Sequence, residues 1–284
     1  DLEIPEAQLA FDSWDKVRLW EQVAIGLLKK YAEKYYRYKK QAWESPHLEY
    51  RDLEPTDPNF LGSEEDPSKG YYRILYDKSR EDIVAKLEEL KTLVEAGTLK
   101  GWSAEGLKAI NVGHHLYRPL LHLESNVIAI SPAPLNKGEW RFVQDIMEFA
   151  ERNPDYFKHR QVYLLRNLSR GRGVGFFEAG NFHPDFITWV VDGSKQHITF
   201  VDPKGIRNLP ASDDKIHFCK TIKDIEARLE DPDVTLSSFI VSNTPSHVME
   251  KQWGMKKAEM AKRNIVFQEE DADGYIKSIL GAPP

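Results

Sequence analysis

The sequence predicts an α/β fold of the mixed α+β kind, and three observations support this prediction. Runs typical of strands, such as "QVYLLRNL" and "TLSSFIVSN", occur between helical stretches. One helical stretch, "GEWRFVQDIMEFAERN", carries an apolar face formed by Phe142, Val143 and Ile146. The order of elements is helix, strands, helix, strand, which favours a sheet with both parallel and antiparallel pairs.

Composition indicates a globular protein outside the membrane. The chain has 284 residues, of which 41% are hydrophobic and 30% charged. It lacks an apolar run of the roughly 20 residues that span a bilayer. The single cysteine, Cys219, excludes an internal disulfide, and the absence of a secretory segment at the start predicts a cytoplasmic location. A net charge of -6 disfavours coating of nucleic acid by bulk electrostatics, so such contacts would need local basic patches.

Two domains are predicted, 1–113 and 114–284. The first is mainly helical, with helices expected at Ser13–Trp43, Ser79–Glu95 and Ser103–Val112. The segment "KKYAEKYYRYKK" in the first helix combines six cations with four tyrosines. We interpret it as a packed aromatic stripe with a solvated basic face rather than as a nucleic-acid platform. Because the chain begins with Asp1 rather than Met, we expect a longer polypeptide.

The most informative segment is "HPDFITWVVDGSKQHITFVDPKG". Its two apolar runs predict strands that are joined by a two-residue turn with Gly193 at the first central position, as in a type II′ turn. If Asp192 pairs with Lys195, Asp185 falls opposite Asp202, and the side chain two residues later shares their face of the sheet.

The residue two positions beyond Asp202, on the same face of the sheet, is Lys204. Two opposed carboxylates destabilise a sheet unless something lies between them, and a hard divalent cation such as Mg²⁺ would meet that need. The lysine could stabilise developing negative charge or orient an attacking water. The alternative is structural: Asp185 follows a strand-entering proline, and Asp202 opens a turn.

A third carboxylate lies on the helix that precedes the hairpin. Glu139 falls on the apolar stripe of that helix, whereas Glu148 and Glu151 lie off it and should be solvated. Asn136 and Glu139 have the spacing of a capping box. A cap and a role in the site can coexist.

These residues carry a resemblance to a known superfamily. "GEWRFVQDI", "HPDFI" and "FVDPKG" resemble the signature of PD-(D/E)xK nucleases: a helical glutamate, a strand-entering aspartate and an acidic-x-Lys strand end. More closely, "YRDLEPTDPNFLG", "LYRPLL" and "RNLSRGRGVGFFEAGNFHPDF" resemble the C-terminal region of bacterial DEAD/DEAH-box helicase proteins of the type III restriction kind.

The resemblance implies a restriction endonuclease-like core with an N-terminal domain that links to a helicase or contacts DNA. Glu139, Asp185 and Asp202 would hold one or two Mg²⁺ ions, with Mn²⁺ as a substitute, and Lys204 would be the catalytic lysine. Asp202 stands where many members carry glutamate. Pro203 cannot donate to a sheet ladder and therefore fits best at an edge or a strand end.

Further side chains near this signature complete the predicted site. Arg166, Arg170 and Arg172 lie in a glycine-containing loop and could grip DNA phosphates through charge-assisted bonds. The alternative for them is a flexible loop whose arginines stay in water. Glu178 is a spare metal ligand, and His183 could donate to a phosphate or to Asp185.

The predicted activity is Mg²⁺-dependent cleavage of DNA phosphodiester bonds by a helicase-associated endonuclease in restriction or antiviral defence. The ATPase would lie upstream in the same polypeptide, because the chain has no GxxxxGK[ST] loop. Cutting both strands needs two active sites, so we expect a homodimer. The alternatives are an inactive nuclease-fold module that binds DNA and positions a helicase, or a nuclease acting on RNA or single-stranded ends.

Overall fold

The computed structural model describes residues 13–44, 72–77, 79–112, 120–124, 128–167, 173–176 and 182–281. The chain divides into two compact units, Asp1–Asp52 and Leu53–Pro284. In the first unit, helix α1 spans Trp14–Glu44. Tyr31 and Tyr35 on this helix are 69% and 49% exposed. The packed aromatic stripe predicted here is therefore absent from the part of the chain that the structure describes.

The second unit begins with small elements: β1 (Arg73–Leu75), α2 (Glu81–Glu95), β2 (Gly101–Ala104), β3 (Leu107–Ile110), β4 (Leu120–Leu123) and β5 (Ala129–Ser131). Strands β2, β3 and β4 form an antiparallel sheet, and β1 pairs with β5. Ile83 and Leu90 of α2 pack with Leu107 and Leu121 of the sheet. This small core depends on apolar contacts between one helix and one sheet face.

The helix predicted at Ser103–Val112 is wrong, because this segment forms the turn and second strand of the β2–β3 hairpin. The turn residues Glu105 and Gly106 have φ values of +50° and +79°. Two successive positive φ values are typical of a type I′ hairpin turn and incompatible with an α-helix. Local turn chemistry outweighed the helix-forming alanine, lysine and leucine around it.

The predicted boundary near residue 113 falls within the β2–β3–β4 sheet, since β3 precedes that residue and β4 follows it. The compact units divide instead between Asp52 and Leu53. Assignment of 1–113 and 114–284 to a linking domain and a nuclease-like domain stays a prediction.

The larger sheet has five strands and helices on both faces. Its elements are α3 (Lys137–Arg152), α4 (Pro154–Phe157), β6 (Gln161–Arg166), β7 (Phe186–Asp192), β8 (Lys195–Lys204), α5 (Asp214–Leu229), β9 (Val234–Ser242), α6 (Ser246–Trp253), α7 (Lys257–Ala261), β10 (Ile265–Phe267) and α8 (Ala272–Ile279). The strand order is β10-β9-β8-β7-β6. β6, β7 and β8 are antiparallel neighbours, whereas β8, β9 and β10 run parallel. The mixed α+β architecture is confirmed.

Alternate residues of the strands face opposite helices. Val201 packs in the cluster with Phe142 and Val143 of α3, together with apolar residues of α8. Phe200 packs instead with Phe218 and the rest of the apolar face of α5. Because side chains alternate along a strand, Asp202 and Lys204 project toward the α5 side of the sheet at its end. As predicted, the exposed residues of α3 include Glu148 and Glu151.

No helix in the described ranges, 13–44 and the separate stretches from 72 to 281, combines the length and the apolar character needed to cross a membrane.

Candidate active site

The predicted hairpin register is confirmed. Asp192 pairs with Lys195, and the ladder continues without a shift to Phe186 and Val201. Gly193 has a φ of +64°, the positive value that a type II′ turn needs at its first central position. Asp185 and Asp202 are the next residues on the two strands after the Phe186–Val201 pair, so they lie opposite each other.

The carboxyl groups of Asp185 and Asp202 meet at this end of the sheet, close enough that the charge of Asp202, after burial, raises the pKa of Asp185. Asp202 is only 2% exposed. Burial is the main cause that raises the pKa of Asp185 to about 8, and the charges of Asp202 and Glu139 add to it. Asp185 therefore keeps its proton at neutral pH in the metal-free fold, and a cation bound by the two carboxyls would favour its release.

The ammonium group of Lys204 forms an ion pair with the buried carboxylate of Asp202. The lysine side chain is 24% exposed, so its ammonium remains reachable from solvent. Pro203 lies between them, beyond the pair of Val201 with Phe186, the first residue of β7; among the described residues, 202–204 pair with β9 alone. A proline is tolerated there because that stretch of β8 lacks an antiparallel neighbour on the other side.

Glu139 combines a cap with a place beside the site. Its backbone N–H donates to Asn136 Oδ1 over 2.9 Å, and its carboxylate accepts from the Asn136 backbone N–H over 3.1 Å. The capping box is therefore confirmed. Burial raises the pKa of Glu139, Arg166 and Asn136 oppose that rise, and the charge of Asp202 adds to it. Because the charge of Asp202 raises the pKa of Glu139, the Glu139 carboxyl lies near the two aspartates.

Arg166 lies at the end of β6, and its guanidinium points to this carboxylate. Its Nη2 lies 3.7 Å from Glu139 Oε2, and the two side chains are only 14% and 12% exposed. Its Nη1 is buried and makes no hydrogen bond with the described residues. Arg166 therefore neutralises a buried carboxylate in this structure, and its predicted contact with DNA stays a prediction. The predicted residues Arg170, Arg172 and Glu178 lie outside the described residues.

Buried contacts hold the chain on either side of that loop. Asn167 Nδ2 donates to Val174 O and to Pro184 O, each over 2.8 Å. Asn167 Oδ1 accepts from the Val174 backbone N–H over 2.9 Å. The Asn167 backbone N–H donates to Asp185 O over 2.8 Å. Asn167 therefore joins the end of β6 to the backbone of Asp185.

His183 packs with its ring against the backbone of Gly175, where an added Cβ would lie 2.4 Å from the ring. Its Nδ1 is buried and has no hydrogen-bond partner among the described residues. The structure records no bond from His183 to Asp185 within those same residues, so the predicted donation to Asp185 does not occur here. Its contact with a phosphate stays a prediction.

Lys215, in the first turn of α5, completes the group and was missed in the sequence. Its Nζ lies 5.3 Å from the centre of the Phe182 ring, and Lys204 Nζ lies 5.7 Å from the same centre. A sequence signal exists: β8, α5 and β9 form a crossover between parallel strands. The helix of such a crossover begins beside the end of the strand before it, so the first turn of α5 falls next to Lys204.

A large open groove of about 1240 Å³ runs along the neighbouring side of α3. It is lined by Asn136 and Gly138 at the start of the helix and by Trp140 and Arg141 further along. The paired aspartates do not line it. These aspartates and their partner lysine converge at the end of β8 and not along this groove.

The donor set fits a hard divalent cation in part. Asp185 and Asp202 supply closely spaced carboxylate oxygens whose mutual repulsion a cation would remove, and Mg²⁺ takes one or two protein carboxylates. Both oxygens of Glu139 accept bonds from Asn136. Among the described residues, no group of three or more His, Cys, Asp or Glu side chains is arranged to hold a metal. Glu139 as a third ligand stays a prediction.

No protein-family model, curated protein or solved structure matches this chain.

Proposed function

We propose that this protein is a Mg²⁺-dependent DNA endonuclease module with a restriction endonuclease-like core. In this proposal it is the C-terminal part of a helicase-nuclease that acts in the cytoplasm in restriction or antiviral defence, with the ATPase upstream in the same polypeptide. Hydrolysis would add water to phosphorus and break one P–O ester bond, leaving one phosphate end and one hydroxyl end.

One observation carries the proposal: the buried Asp202, the partly buried Asp185 and Lys204 converge at one end of a hairpin. Burying two carboxyls against each other is unfavourable for folding. Such an arrangement is therefore more readily explained by a bound cation than by structural need. The order of the supporting elements, with α3 before the hairpin and α5 after it, also agrees with the resemblance to PD-(D/E)xK nucleases.

Each side chain has a distinct role in the proposed reaction. Asp185 and Asp202 would hold the ion, which when bound would supply an activated water and charge stabilisation at the phosphate. Lys204, held by Asp202 but still reachable, would neutralise charge on the phosphate oxygens as the ester bond breaks. Glu139, fixed by its cap and by Arg166, would orient groups beside the aspartates.

The test is cleavage of supercoiled plasmid and of linear single- and double-stranded DNA, with Mg²⁺, with Mn²⁺ and with chelator. The variants are Asp185→Ala and Lys204→Ala. The matched control is Lys195→Ala, an exposed lysine at the other end of β8. We expect metal-dependent cleavage that falls by about a hundredfold or more in both site variants and is unchanged in the control.

The outcomes separate the proposal from its alternatives. Binding of DNA without cleavage, by this chain and by the full-length protein with ATP, would reject the nuclease and favour a module that positions a helicase. Cleavage of RNA or of single strands alone would reassign the substrate. Cleavage that persists in Asp185→Ala would place the chemistry elsewhere in the chain.

A further inference from the structure

Two lysines lie near each other, Lys204 at the end of β8 and Lys215 in the first turn of α5. The Nζ atoms of Lys204 and Lys215 lie 5.7 and 5.3 Å from the centre of one aromatic ring, that of Phe182. After burial, the charge of Lys204 is the next cause that lowers the pKa of Lys215, so the two ammonium groups lie near each other. Like charges placed in this way repel each other, and an anion between them would relieve the repulsion.

The neighbouring carboxylates, Asp202 and Asp213, each make a contact that does not involve the Lys215 ammonium group. Asp202 already pairs with Lys204. The side chain of Asp213 is engaged at the helix start, where it accepts from the Lys215 backbone N–H over 3.0 Å. Burial and then the Lys204 charge lower the pKa of Lys215, against the opposing effects of Asp202 and Asp213. A cation bound to Asp202 would reduce the negative charge near both ammonium groups, which favours an anion beside them.

The position of Lys215 limits what that anion can be. It lies in the first turn of a 16-residue helix, where the helix dipole also favours negative charge. The two ammonium groups are compact charges on flexible stems, which suit a compact tetrahedral oxyanion. Its neighbour is the proposed centre for phosphodiester cleavage.

We propose that Lys204 and Lys215 together form a phosphate-binding site that holds one phosphate group of the nucleic-acid strand, with Lys215 as a second phosphate-contacting residue. The choice of a nucleic-acid phosphate rests on the proposed function, whereas the anion site itself rests on the lysine pair. Lys215 thus adds a ligand-binding residue from α5 to a centre otherwise built from the hairpin and α3.

The experiment compares Lys215→Gln, Lys215→Arg and the control Lys220→Gln, an exposed lysine on the same helix. The first probe is inorganic phosphate with chelator present, measured by its effect on thermal stability. The second probe is a labelled oligonucleotide, measured by anisotropy over a series of salt concentrations. Because Lys215→Gln removes one of two like charges, the variant should fold at least as stably as the wild type.

We expect Lys215→Gln to weaken binding of both probes by about tenfold or more, and Lys215→Arg to restore most of it. The salt dependence of oligonucleotide binding should fall by about one phosphate contact in Lys215→Gln and stay unchanged in Lys220→Gln. A structural role for Lys215 would leave that salt dependence unchanged.

Equal affinity and equal salt dependence in wild type and Lys215→Gln would overturn the inference, as would a wild type that binds neither probe. The proposed function fails separately. If phosphate binding depends on Lys215 but the wild type cuts no nucleic acid, the anion site is supported and the nuclease proposal is rejected. If wild type and Lys215→Gln bind and cut DNA equally, the nuclease proposal is supported and the proposed role of Lys215 is rejected.

Discussion

Replacing Asp185 by asparagine removes the carboxyl that burial and the facing Asp202 force to keep its proton. We expect Asp185→Asn to make the metal-free protein more stable than the wild type at alkaline pH. The pKa of Asp185 in the fold, about 8, lies above its ordinary value of 3.8. The wild-type stabilisation is therefore complete below about pH 4 and is lost as the pH rises through about 8, whereas the asparagine has no proton to lose.

The magnitude follows from the same two values. The difference between about 8 and 3.8, at about 1.4 kcal/mol per pH unit, gives an upper value of roughly 6 kcal/mol. Ionisation lets the site relax and admit water, which raises the effective dielectric constant. We therefore expect the free energies of unfolding of the variant and the wild type to diverge by roughly 2 to 4 kcal/mol between about pH 4 and about pH 9.

The assay is urea unfolding in the presence of chelator, followed by tryptophan fluorescence at a series of pH values. The control is Asp192→Asn at the opposite end of the hairpin, where the side chain is 50% exposed. Its pH dependence should follow the wild type. Parallel curves for Asp185→Asn and the wild type would refute the reasoning, because they would mean that Asp185 titrates normally in the folded protein.

Magnesium provides the second half of this prediction. At ten times its dissociation constant, Mg²⁺ should raise the free energy of unfolding of the wild type by about 1.4 kcal/mol at pH 8. The ion should leave Asp185→Asn nearly unchanged, because the carboxylate pair is gone. Equal stabilisation of both proteins would place the ion elsewhere and remove Asp185 from the metal site.

Three further variants test individual contacts of the larger unit by urea unfolding. Arg166→Met should lower the free energy of unfolding by roughly 2 to 4 kcal/mol, because it leaves the mostly buried Glu139 carboxylate without its cation. Tyr275→Phe should lower it by roughly 1 to 2 kcal/mol, because the hydroxyl is a hydrogen-bond donor to a buried carboxyl on α3. Gly175→Ala should cost roughly 1 to 3 kcal/mol, because its Cβ would overlap the ring of His183.

Two of these variants, Arg166→Met and Gly175→Ala, have a matched comparison. Arg152→Met breaks an ion pair whose side chains are 53% and 51% exposed, and should change stability by less than about 1 kcal/mol. An equal loss in Arg166→Met and Arg152→Met would contradict the importance of burial at Glu139. Combining Gly175→Ala with His183→Ala should recover most of the loss. Simple addition of the two effects would show that the ring is not what the new methyl group meets.

The hairpin was predictable because its geometry is local. A two-residue turn with Gly193 defines the register of the strands it joins, and register then determines that Asp185 faces Asp202. The capping box between Asn136 and Glu139 was predictable for the same reason, since three residues of one helix start decide it. Both features depend on neighbours in sequence and not on the rest of the fold.

The errors arose where tertiary contacts or an unrecognised turn decided the outcome. Residues 103–112 have helix-forming side chains, but the Glu105-Gly106 turn and pairing with two other strands made them part of a sheet. The aromatic side of α1 was expected to be packed, yet Tyr31 is 69% exposed. Amphipathic spacing predicts which residues share a helix face, but not whether another element covers that face.

The sequence by itself determined the mixed α+β architecture, the hairpin and the meeting of its two aspartates with Lys204. Only the tertiary structure decided that Arg166 turns to Glu139 and that Lys215 of α5 reaches the same place. The physical reason is the range of the interactions. Turn type and strand alternation act over a few residues, whereas the packing of α3 and α5 on opposite faces of the sheet brings together charges that are far apart in the chain.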